Sequence, residues 1–214
     1  GESAEVLRWF DSTDRPADVF GMTLEGGSSL ARLAPSLVGH GGTEHAFAAT
    51  RSLTVTIALH LAVLSARGVE PDVSPALEAL AKVQGVVASG RRLNGVAEAM
   101  ALGLTELSRR PCFALEGGQL RHGPMEMLGP DLGVVLFRGA DPTAGLVTAM
   151  AHSVAGTGSP LVLFDASGLE PVAGAVNVAF AMLPTAQRLM IGFAAARVAD
   201  AGTPVRSSKI TRIE

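Results

Sequence analysis

From residue 84 onward the chain alternates between short, largely apolar runs and longer stretches in which apolar residues recur every three or four positions. The short runs are 84–89, 111–115, 133–137, 161–164 and 177–181, and each is predicted to be a strand. The longer stretches predict helices over Leu93–Ser108, from Pro142 to about Val154, and over Leu183–Ala201. A strand that is apolar on both faces is buried on both faces, which is the mark of a parallel sheet covered by helices. The first part of the chain carries a shorter version of the same pattern. Val6, Leu7 and Phe10 predict a short amphipathic helix over Glu2–Phe10, broken by Asp11–Pro16. Strands are predicted over Ala17–Thr23 and Ser36–Val38, with turn residues Glu25–Ser29 leading into a short helix between them. A loop at His40–Thr43 then opens a long helix that runs to about Ala66. Thr43 is the predicted N-cap, and Glu44 is placed favourably in the first turn.

Arg67–Pro75 contains Gly68, Pro71 and Pro75 and is the best candidate for a linker. It divides the 214 residues into a first unit over 1–68, a linker and helix over 69–82, and a second unit over 83–214 that ends in a basic tail. Hydrophobic residues make up 48% of the chain and charged residues 17%, which excludes disorder for its bulk. The net charge of −3 gives no general basic field, so neither nucleic acid nor an anionic membrane surface is expected as a partner. The most apolar stretch, Leu53–Leu64, includes His60 and two threonines and falls short of the roughly 20 residues that a membrane span needs. A single cysteine, Cys112, excludes an intramolecular disulfide framework and makes the cytoplasm the expected compartment. Cys112 lies in an apolar run and is read as packing.

Few segments carry candidate chemistry. The five histidines have no metal-ligand spacing, and neither a metal nor a cofactor is expected. Gly1-Glu2-Ser3 opens a helix and reads either as a plain N-cap or as a seat for an anion, which free N–H groups and the helix dipole favour. Glu106 lies on a largely apolar helix, either as an exposed polar position or as a carboxylate suited to general-base work. Residues 116–124, Glu-Gly-Gly-Gln-Leu-Arg-His-Gly-Pro, form the densest polar stretch. They follow a predicted strand, where α/β sheets place their ligands, and His122 can shuttle a proton near neutral pH.

Four stretches together resemble the sugar isomerase (SIS) domain family. Gln119-Leu120-Arg121-His122-Gly123-Pro124 is similar to the family's Glu-Leu-Lys-His-Gly-Pro motif, and Gly1-Glu2-Ser3 to the end of its Ser-x-Ser-Gly-Glu-Thr/Ser phosphate loop. Residues 44–53 resemble Glu-x-x-Val-Ala-Ser-Thr-Lys-Ala-Phe, and Ser207-Ser208-Lys209 with Glu214 resembles the family's C-terminal ending. The resemblance implies an α/β fold of two SIS domains. Each is a five-stranded parallel sheet wrapped by helices in flavodoxin-like layers, with the first domain incomplete at its N-terminus. It implies a homodimer that binds a hexose 6-phosphate at domain and subunit interfaces. Carried over by position, Glu106 moves the proton between C1 and C2 of the open sugar, and His122 from the neighbouring subunit assists ring opening. Lys209 lies near the sugar, Ser3 contributes the last hydroxyl of the phosphate loop, and the backbones of Phe47 and Ser208 touch the sugar. The implied activity is that of a phosphosugar isomerase or an amino-sugar-phosphate deaminase.

The departures from the pattern are Gly103 for a lysine one turn before the glutamate, Ala49 for serine, Arg51 for lysine and Gln119 for glutamate. They argue against full synthase chemistry and motivate a second reading, a non-catalytic module that senses a sugar phosphate; the isomerase part of a glutamine–fructose-6-phosphate aminotransferase is a third.

Overall fold

The computed structural model describes residues 1–12, 19, 21–45, 48–63, 72–167 and 175–206. The chain forms two compact units, one of residues 1–65 and 202–214, the other of residues 66–201.

The second unit is built on a four-stranded parallel sheet. Its strands are β3 (Gly85–Gly90), β4 (Cys112–Ala114), β5 (Leu132–Arg138) and β6 (Leu161–Asp165), in the order β4-β3-β5-β6. The central strands β3 and β5 pair over six positions, from Gly85 opposite Leu132 to Gly90 opposite Phe137. All of β3 is buried, as are Gly133–Phe137 of β5, which is why these runs show no polar alternation. Val87 on β3 and Val134 and Leu136 on β5 point to one face, where α7 (Ala144–Ala155) covers them with Val147, Met150 and Val154. Helix α5 (Asn94–Ser108) packs on β3 and β4 and also along α8 (Ala175–Ala195). The contact between the two helices is close because Gly103 has no side chain: a Cβ there would sit 2.6 Å from Met190 Cε. The short α4 (Ser74–Ala79) is tied to the end of α8 by Arg197, which donates to Leu80 O (2.7 Å) and Ala81 O (2.8 Å). Its guanidinium also lies 3.6 Å over the Phe193 ring.

The first unit contains α1 (Ala4–Ser12), β1 (Gly21–Thr23), α2 (Ser29–Leu33), β2 (Ser36–Val38) and α3 (Arg51–Val63). Strands β1 and β2 are parallel, with Gly21 opposite Ser36. Phe10, Leu30 and Ala34 form a small core between α1 and α2.

Most of the expected alternation is present, with three differences. The run 177–181 is helical and belongs to α8. A short apolar run carries no period of its own, and the helix passes without a break through Leu183, where the sequence placed its start, and through Pro184. The long helix of the first unit begins at Arg51 and not at Thr43, because the Glu44 carboxylate accepts the first-turn N–H groups of Arg51 and Ser52 from outside the helix. Among the described residues the sheets have two and four strands, not five each. Cys112 is free and buried, and burial pushes its thiol up from its ordinary value, as packing implies. No helix among the described residues is long and apolar enough to cross a membrane.

Candidate functional site

The candidate residues fall in both units. In the first, Ser3 stands at the entrance to α1, exposed, with its carbonyl accepting from Leu7 N at 3.1 Å. The two residues before it are fastened to the start of α2. Gly1 O accepts from Leu30 N (3.1 Å), and the Glu2 carboxylate accepts from Ser29 N (2.7 Å) and Ser29 Oγ (2.9 Å). These bonds lower the Glu2 pKa. Gly1 lies against buried hydroxyls: a Cβ there would be 2.3 Å from Ser28 Oγ and 2.8 Å from Thr23 Oγ1. Ser28 is only 2% exposed and caps α2 through Ala31 N, while its Oγ meets Thr23 Oγ1 at 3.3 Å. The turn from Gly1 to Ser3 is thus held from below and leaves the Ser3 side chain facing outward.

A concavity of 410 Å³ lies a little further along the same unit, lined by Gly41, Gly42, Thr43, Glu44, His45 and Arg51. Gly41 and Gly42 have φ of +108° and +65°, backbone shapes that glycine adopts without strain. Glu44 is 8% exposed. Its Oε1 accepts from Thr50 N (3.2 Å), Thr50 Oγ1 (2.9 Å) and Arg51 N (2.8 Å). Its Oε2 accepts from Ser52 N (3.0 Å) and, in a short contact, from Ser52 Oγ. The carboxylate therefore satisfies the free N–H groups of the first turn of α3 from outside the helix, which places the helix start at Arg51. Burial alone raises the Glu44 pKa, but the bonds from Ser52, Thr50 and Arg51 outweigh it and hold the group at about 2. Arg51 reaches back the other way, with Nη2 donating to Gly42 O (3.0 Å) and Thr43 O (2.9 Å).

In the second unit Glu106 lies half-buried in the last turn of α5. Its neighbour Thr105 accepts from Cys112 N (3.2 Å) and donates to Cys112 O, fixing the end of α5 to the first residue of β4. Beyond β4 comes α6 (Gly117–Arg121), then His122, then a 3₁₀ turn over Gly123–Met127. Glu116 caps α6 by accepting from Gly118 N (2.6 Å), and Glu116 N donates to Gln119 Oε1 (3.2 Å), closing a capping box. Glu116 also pairs with Arg91 at 2.7 Å, from the turn that follows β3. Burial raises the Glu116 pKa, but the bonds from Gly118 N and Arg91 win and lower it. The exposed His122 is therefore carried on a segment anchored to the carboxyl end of the sheet. Position 103, where the SIS pattern has lysine, is buried and faces Met190, whose side chain a lysine there would have to displace.

Ser3, Glu106 and His122 are described, Ser3 in one unit and the other two in the second. Phe47, Ser208 and Lys209 lie outside the described residues. The sequence reading missed Glu44 as a clasp and Glu116 as the partner of Arg91. The signal for the first was available, because a carboxylate six to eight residues ahead of Thr50 and Ser52 can reach a helix start. For the second no sequence signal exists, since 25 residues separate Arg91 from Glu116.

No protein-family model matches the chain, and no curated protein does. Solved structures do match it. Glucosamine-6-phosphate deaminase from Thermotoga maritima is 19% identical, with 98% of this chain and 72% of that chain covered at a TM-score of 0.72. The C-terminal domain of glucosamine-fructose-6-phosphate aminotransferase from Francisella tularensis is 17% identical over 95% of this chain and 71% of that one, at 0.71. Tagatose-6-phosphate ketose/aldose isomerase from Escherichia coli is 17% identical over 91% and 63%, at 0.63. The chain thus has the fold of SIS-type phosphosugar isomerases and deaminases, the fold that its four motif-bearing stretches implied.

Proposed function

We propose that the protein acts on a hexose 6-phosphate as a phosphosugar isomerase or amino-sugar-phosphate deaminase, of the type that converts glucosamine 6-phosphate to fructose 6-phosphate and ammonia. The observation that carries this reading is the fold match over 98% of the chain to a glucosamine-6-phosphate deaminase, in a sequence that keeps Glu106 and His122 at the spacing of the resemblance. In this reading the exposed Ser3 hydroxyl and the N–H groups at the start of α1 hold the phosphate, where dipole and donors favour an anion. Glu106 takes a proton from one carbon of the open sugar and returns it to the next, a task for one carboxylate placed between C1 and C2. His122, contributed across a dimer interface, moves the proton that opens the ring. Lys209 stabilises the developing enediolate, and the backbones of Phe47 and Ser208 orient the sugar. In this reading the chain comprises two SIS domains, over 1–68 and 83–214, and the protein works in the cytoplasm as a homodimer without a metal or cofactor.

The test is an assay of ammonia and ketose phosphate released from glucosamine 6-phosphate by the wild type and by Glu106→Gln. Turnover by the wild type with a loss of about 100-fold or more in the variant is expected of a general base. Equal turnover in both refutes the proton-transfer role.

A second reading, a sugar-phosphate sensor without catalysis, is favoured by Gly103, since Met190 fills the space of the lysine. Calorimetric binding of hexose 6-phosphates with no turnover selects it. The isomerase part of a glutamine–fructose-6-phosphate aminotransferase is the remaining reading, and a glutaminase sequence encoded upstream of Gly1 selects that one.

A further inference from the structure

The pattern of bonds around Glu44 goes beyond what a helix cap requires. A carboxylate has about four lone-pair sites, and five donors converge on this one, from Thr50, Arg51 and Ser52. No acceptor capacity is left for a ligand, so Glu44 neither takes a proton from a substrate nor grips one. The clasp also works in both directions. While Glu44 holds the first turn of α3, the Arg51 guanidinium of that turn holds Gly42 O and Thr43 O. Loop and helix start are thereby locked together, and between them lies the 410 Å³ concavity. The loop itself turns on two left-handed glycines. It is held by the clasp and, from the other side, by Thr43 Oγ1 donating to Glu25 Oε2 at 3.4 Å.

We propose that Glu44 is a positioning residue, whose clasp with Arg51 fixes the loop Gly41–His45 against α3 and so presets the seat of the sugar. This rests on the phosphosugar reading and adds to it a residue that acts without touching substrate. A seat that is set in advance spares the substrate the cost of ordering it, so loosening the seat weakens binding more than it slows the chemical step. The carboxylate stays ionised throughout the range in which an enzyme is assayed, so the clasp does not open with pH there.

The test is steady-state kinetics of Glu44→Gln and Arg51→Met with glucosamine 6-phosphate, on protein shown to be folded by circular dichroism. Gln keeps the shape but turns an NH₂ toward N–H donors. Met opens the other half of the clasp without burying an unpaired charge, and serves if the first variant does not fold. The expected result is a KM raised about tenfold in Glu44→Gln and severalfold in Arg51→Met, with kcat within about twofold. A merely structural role lowers the active fraction, so kcat falls while KM stays fixed. That outcome, or an unchanged KM in the folded variants, overturns the proposal while the phosphosugar reading stands. A wild type that neither turns over nor binds glucosamine 6-phosphate or fructose 6-phosphate sinks that reading, and the inference with it.

Discussion

Replacing Glu116 with alanine tests whether the segment carrying His122 is held from the carboxyl end of the sheet. Two losses are expected. Gly118 N loses its cap at 2.6 Å, and an N-cap acceptor replaced by alanine costs about 1 kcal/mol. Arg91 loses its partner at 2.7 Å, with side chains 24% and 37% exposed, so that solvent screens the pair and its share is about 0.5–1 kcal/mol. The sum is about 1.5–2 kcal/mol, which lowers the urea midpoint by roughly 1 M at an m-value near 2 kcal/mol/M. A double-mutant cycle with Arg91→Ala separates the two parts, with a coupling energy of about 0.5–1 kcal/mol for the ion pair alone. Hydrogen exchange adds a local reading, because the Gly118 amide is expected to lose protection while the β3 and β5 amides keep theirs. A midpoint shift worth less than about 0.3 kcal/mol, with unchanged exchange at Gly118, refutes the argument that Glu116 anchors this segment.

Glu44 is held at about 2 against an ordinary 4.5, so its contribution is present in full above pH 4.5 and is lost as pH falls toward 2. Urea titrations from pH 6 to 2 are expected to show a loss of about 3 kcal/mol from this group in the wild type that Glu44→Gln lacks. Arg197→Met removes the donors to Leu80 O and Ala81 O and the ring contact with Phe193. It is expected to cost about 2–4 kcal/mol by chemical denaturation, and Arg197→Lys restores only part because ammonium lacks the planar fork. Gly103→Lys, which restores the family's residue, places a cation against Met190 inside the α5–α8 contact. A loss of more than about 3 kcal/mol or failure to fold is expected, and a stable variant with raised turnover contradicts the packing argument.

The sequence by itself determined the α/β class and the parallel arrangement of the second unit. Runs such as 85–88 and 133–137 carry no polar side chain because β3 and β5 are covered on both faces there, and that demand is written directly into composition. The motifs also pointed to the fold that the solved structures share. The run 177–181 was not legible, because a short apolar run suits a strand or a buried helix equally, and only the folded chain, which buries Val178 and Ala181 within α8, decides. The start of α3 depended on a carboxylate arriving from outside the helix, and local cap rules had no term for it. Tertiary structure alone decided that Arg91 meets Glu116 across 25 residues, and that position 103 is closed by Met190. Burial leaves its trace along one segment of chain. A contact between distant segments depends on where the folded elements bring them, and the spacing of residues does not record it.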